Sequence, residues 1–175
     1  MKNRLNGAWL WNKLTPQEKS EACLLVLGDK ESSAGVVMML ASVLRFRPAA
    51  LKKRPRAEVA GLLASSMTTL GMRDGLEPVM RDWLLASKGA VITAFLDGSA
   101  IAHEGLFLKD DAVAPTAEAV QGGIKAILAA ASPRDIELYL GYLLIFGEPD
   151  FWQALHAMVD SEDPLLSGMF AKEPA

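Results

Sequence analysis

The side chains of this 175-residue chain best suited to acid–base, metal or nucleophilic chemistry are few: two histidines, His103 and His156, and one cysteine, Cys23. His103 and Glu104 are followed closely by Asp110 and Asp111. An imidazole and three carboxylates in so short a stretch could hold a hard cation, or divide a general acid from a general base. Adjacent residues leave a strand or a helix on different sides, which counts against convergence of all four. His156, beside Leu155 in a helical pattern, reads as a partly buried structural imidazole. The histidines stand in no metal-ligand spacing, and the nucleophile elbow, the phosphate loop and the dinucleotide turn are all missing from the sequence. No metal or cofactor is therefore expected, and the reading leans away from an enzyme.

Cys23 lies in the run Ala22-Cys23-Leu24-Leu25-Val26-Leu27. A lone cysteine makes no internal disulfide and no thiolate cluster, so a buried inert thiol and a cytoplasmic setting are expected. The N-terminus opens with a positive pair but lacks an uninterrupted apolar region, and does not read as a signal peptide. Eight methionines, Met38, Met39, Met67, Met72 and Met80 among them, suggest an adaptable interior.

Charge is the feature that points to a task. Residues 1–88 carry 14 Lys+Arg against 8 Asp+Glu, and residues 89–175 carry 4 against 13. Six cations, Arg45, Arg47, Lys52, Lys53, Arg54 and Arg56, fall in one window, and no acid occurs between Glu31 and Glu58. The simplest account is a solvated connection, with cations favoured near a helix C-terminus or paired with the acidic half. The functional account is a binding surface. A nucleic acid would gain phosphate contacts there, but only Phe46 offers stacking within the window and the pI is about 5.4. An anionic membrane surface is a second partner type, with Trp9 and Trp11 as an interfacial anchor. Against it stands a plainer role for the tryptophans, stapling the N-terminal arm to the core. A protein partner, or a second copy of the chain meeting basic half to acidic half, is the favoured reading.

Positioning these residues requires helices. Hydrophobic residues make up 51% and mean hydropathy is +0.20. The longest uncharged stretches, residues 32–44 and 59–72, are nevertheless shorter than the roughly 18 residues a membrane span needs, and read as buried helices. Thr15-Pro16-Gln17-Glu18 and Ser132-Pro133-Arg134-Asp135 combine a capping side chain, proline at the first helical position and an early acid. They predict helices ending near Gly28 and Gly147. Asp74-Gly75-Leu76-Glu77 marks another start, and further helices are expected over 33–46, 57–66, 116–131 and 149–159. Residues 136–146 contain one charge, Glu137, are otherwise apolar around the whole circumference, and must be enclosed by neighbours. The helix after them is amphipathic, and the two are expected to form an antiparallel pair. Gly122-Gly123 suggests close helix packing.

Residues 90–103 admit two readings. A buried helix closed by a left-handed Gly98 is preferred, and a hairpin turning at Asp97-Gly98 competes with it. The whole predicts an all-α protein: a single-domain orthogonal bundle of six to eight helices over 1–175, with a minor β-hairpin near 90–103 as the alternative, an arm over 1–14 and a tail over 164–175. The expected role is a non-enzymatic interaction or adaptor module working through residues 45–56. The runner-up is a helical enzyme or small-molecule binder with a polar site near His103, Glu104, Asp110 and Asp111.

Overall fold

Short capping side chains placed one residue ahead of the helix set five of the ten α-helix starts in the computed structural model, which describes residues 5–166 and 169–170. The capping box forms as the sequence predicts: Glu18 donates its N–H to Thr15 Oγ1, and Thr15 donates its own to the Glu18 carboxylate at 2.8 Å. Asp29, Thr116 and Ser132 cap three more helices by accepting from the backbone N–H three residues on. Among the described residues there are ten α-helices and one two-stranded antiparallel sheet, so the chain is all-α with a minor hairpin. None of these helices is long and apolar enough to cross a membrane.

Backbone contacts gather into two compact units, residues 4–86 and 87–175. The first unit holds α1 (Gly7–Asn12), α2 (Pro16–Val26), α3 (Lys30–Leu44), α4 (Pro48–Lys52), α5 (Arg56–Ser66) and α6 (Arg73–Ser87). Its closest helix pair is α2 with α5, and α3 packs beside both. Trp11 is buried and its indole N–H donates to the Ala64 carbonyl on α5 at 3.2 Å, so the N-terminal arm is stapled to the core. Cys23, Leu40, Leu63, Met67, Met72 and Met80 are fully enclosed. Met38 departs from the expected methionine interior, because α3 keeps one side in water and Met38 is 57% exposed on it.

The second unit holds α7 (Gly89–Gly98), β1 (His103–Glu104), β2 (Phe107–Leu108), α8 (Ala117–Ala130), α9 (Pro133–Phe146) and α10 (Gln153–Asp160). No residue from 136 to 146 is exposed, as a stretch apolar apart from Glu137 requires. Phe95 of α7 meets Tyr139 of α9 edge-on, with ring centres 5.6 Å apart, and Trp152 at 6.0 Å.

Three expectations change here. Residues 89–98 are helical, but the left-handed residue beyond them is Ala100, at φ 51°, and not Gly98. Gly98 serves the crossing of α7 with α8 instead: a Cβ there would lie 2.6 Å from the Ala126 Cβ, and one at Gly122 would lie 2.5 Å from the Gly98 carbonyl oxygen. Gly122-Gly123 thus does what its position in α8 suggested. The hairpin exists further on, with His103 opposite Leu108 and Glu104 opposite Phe107. It turns at Gly105-Leu106, where Gly105 takes φ +60° at the first turn position. The helix after α9 begins at Gln153, later than proline 149 suggested, and its main neighbour is α8 rather than α9. The turn residues 147–152, with Trp152 buried among them, redirect the chain before α10 starts.

Candidate functional site: a basic groove

The two prolines of the basic window break it into structure of three kinds. Arg45 ends α3 in the left-handed conformation at φ 54°, with the Phe46 N–H returning to the Ala41 carbonyl at 2.9 Å. Pro48 opens the short α4, and Pro55 precedes α5. The result is a broken helix that folds back along α3, with all six cations exposed.

The cations divide by role. Arg56 donates to the Leu24 carbonyl near the C-terminus of α2, where a cation satisfies an orphan acceptor and the helix dipole together. Arg54 pairs with Glu58 one turn on, and its guanidinium lies 5.1 Å from the centre of the Phe46 ring. One face of Phe46 is thereby occupied. Lys52 has neither hydrogen bond nor ion pair among the described residues.

Lys52, Arg54 and Arg56 share one groove of about 350 Å³ with Lys30 from the first turn of α3. Its apolar wall comes from Leu27, Val37, Leu51 and Val59. No acid lines it among the described residues. Arg45, Arg47 and Lys53 are exposed nearby but are not part of its lining. The sequence window therefore contributes three of the four groove cations. Lys30 and the apolar wall escaped it, because α2, α3, α4 and α5 must pack before those residues meet. Such a cleft offers a field of one sign above an apolar surface in a low-dielectric wall, which concentrates anions that also carry apolar groups.

The polar cluster of the second unit is assembled differently from its sequence outline. His103 Nε2 lies 3.0 Å from Asp97 Oδ1, and Nδ1 lies 2.9 Å from the Gly105 carbonyl oxygen. Both neighbours accept, so only the imidazolium satisfies both. The hydrogen bond to Asp97, and then that to Gly105, accordingly raise the His103 pKa above its ordinary 6.5. A ring held this way keeps no free lone pair for taking a substrate proton. Glu104, Asp110 and Asp111 instead line a shallow depression with Phe107, Leu108 and Lys109, all of them exposed. Among the described residues no three His, Cys, Asp or Glu side chains are grouped to hold a metal. Asp97, the actual partner of His103, had no signal in the sequence beyond its place at the end of an apolar segment.

The remaining candidates are enclosed. Burial pushes the Cys23 thiol up to about 12, as an apolar pocket disfavours the thiolate. His156 is partly buried in α10, and its Nε2 has no hydrogen-bond partner. Comparison with known protein families, with curated proteins and with solved structures finds nothing that matches this chain.

Proposed function

We propose that the chain is a non-enzymatic helical interaction module, and that its basic groove receives an acidic, amphipathic segment of a protein partner. The observation that carries this reading is charge in excess: four cations converge on an apolar wall, and among the described residues only Arg54 is answered by a carboxylate, that of Glu58, which lies outside the lining. An acidic segment would relieve their mutual repulsion, while its apolar side chains would cover Leu27 and Ala34, the lining apolar residues that Val37, Leu51 and Val59 back from within. A bare polyphosphate strand brings no apolar group for that wall, and one face of Phe46 is already taken by Arg54. A membrane surface is disfavoured because Trp11, half of the expected anchor, is buried. A cytoplasmic setting accompanies this reading, on the strength of the single cysteine.

The runner-up, an enzyme or small-molecule site at His103, Glu104, Asp110 and Asp111, needs a free imidazole nitrogen, and both are engaged. The test is anisotropy of a labelled helical peptide built from Glu and Leu at amphipathic spacing, titrated with the full chain at several salt concentrations. Saturable binding that weakens with salt is expected. Lys30→Glu with Lys52→Glu, whose side chains make no hydrogen bond or ion pair among the described residues, should raise the dissociation constant about tenfold or more, since two reversed rim charges remove and then oppose about 1–3 kcal/mol of attraction. His103→Ala should leave it unchanged. Failure of the wild-type chain to bind the peptide at low salt would refute the reading.

A further inference from the structure

The second unit carries a feature that mirrors the groove. Its hairpin ends in apolar side chains held in water: Phe107 is 62% exposed, Leu108 39% and, just beyond, Val113 81%. Carboxylates flank them at Glu104, Asp110 and Asp111, with Lys109 the only cation in the segment. This tip is not a loose loop. The Lys109 N–H donates to the Ala102 carbonyl at 3.1 Å, Gly105 sets the turn, and His103 is fastened to both Asp97 and the turn carbonyl. A tip already ordered loses little conformational freedom when it docks.

We propose that the groove's occupant is the hairpin of a second copy of this chain: Phe107, the more exposed of the two β2 residues, enters against the apolar wall, and Asp110 and Asp111 face Lys30 and Lys52. The inference rests on the groove reading above and names its partner. The complementarity is twofold: the apolar tip meets the half-buried Leu27 and the exposed Ala34 at the groove, over the buried Val37, Leu51 and Val59, and the acids meet the exposed cations. Each copy carries one groove and one hairpin. The contact is therefore heterologous, and closes into a ring or continues as a chain of copies.

Sedimentation velocity of the full chain over a concentration series, at low and at high salt, reads the association directly. Mass should rise above the 18.8 kDa monomer with concentration and fall back with salt. Lys30→Glu/Lys52→Glu and Asp110→Lys/Asp111→Lys should each weaken self-association about tenfold or more, with unchanged circular dichroism, since all four residues are exposed. Mixed together, the two variants should associate, because one supplies a native groove and the other a native hairpin. A wild-type chain that stays monomeric throughout, or an Asp110→Lys/Asp111→Lys chain that associates as before, overturns the proposal. If the wild-type chain stays monomeric yet binds the acidic peptide, the groove reading stands while the second-copy assignment falls. If the peptide also fails to bind, both fall.

Discussion

Replacing Gly123 by alanine tests whether the α7–α8 crossing is as close as it looks, and two opposed effects make the sign informative. In a helix interior, alanine is preferred over glycine by about 1 kcal/mol, so an uncrowded site gains stability. At Gly123 the new Cβ would overlap Ser99 Oγ and lie 2.8 Å from the Phe95 carbonyl oxygen and 2.9 Å from Phe95 Cδ2. Carbon contacts are comfortable at about 3.5–4.0 Å, so α7 must retreat by roughly 0.5–1 Å. That retreat disturbs Phe95, which is fully buried and touches Tyr139 and Trp152. Overpacking costs about 1–3 kcal/mol, and three contacts under 3.0 Å place Gly123 in the upper part of that range, about 2–3 kcal/mol; less the propensity gain of about 1 kcal/mol, a net loss of about 1–2 kcal/mol is expected. Gly35 and Gly61, exposed in α3 and α5 with nothing near an added Cβ, supply the controls and should gain about 0.5–1 kcal/mol as alanines. Urea titrations followed by circular dichroism measure all three. With a slope of about 2 kcal/mol per molar urea, Gly123→Ala should lower the midpoint by about 0.5–1 M while the controls raise it. A Gly123→Ala midpoint equal to or above the wild type, beside raised controls, would refute the close crossing.

Two further outcomes follow from protonation. The His103 pKa is raised in the folded chain by its bonds to Asp97 and Gly105, so the stability it contributes is fully present below about pH 6.5 and is lost as pH rises through the higher folded value. Stability of the wild type should therefore fall, relative to His103→Gln, in urea titrations taken from mildly acidic to alkaline pH; a constant difference between the two would contradict the bonding described. Cys23, pushed up to about 12 and buried, should resist a chromogenic disulfide reagent at pH 8 in the folded chain and react at once in denaturant, and fast labelling of the native chain would show that α2 opens at Cys23.

The groove shows how legibility depends on distance along the chain. The cations from Arg45 to Arg56 are visible as a run, and Pro48 and Pro55 announce that the run cannot be one helix. That Lys52, Arg54 and Arg56 face a common groove while Arg45, Arg47 and Lys53 do not is invisible in the run. It depends on α4 folding back beside α3, and on Arg56 reaching the end of α2. His103 repeats the lesson. Its neighbours in sequence, Glu104 and then Asp110 and Asp111, are the obvious partners, yet the ring turns to Asp97 because α7 and the hairpin meet at Ala100, whose left-handed φ reverses the chain.

Helical class, most helix starts and the enclosure of α9 were all readable from residue order, because each rests on interactions reaching no further than one turn or on the periodicity of apolar side chains. The concentration of charge in one half was readable as well, and the boundary between the two compact units, at residue 86, falls close to where the sign changes. Packing supplied the rest: the role of Gly98, the position of the hairpin turn, the neighbour of α10, the membership of the groove and the partner of His103. Each of these turns on which surfaces of distant segments touch, and that choice is made by many contacts worth a few tenths of a kcal/mol apiece, summed over whole faces, so no short stretch of residues carries it alone.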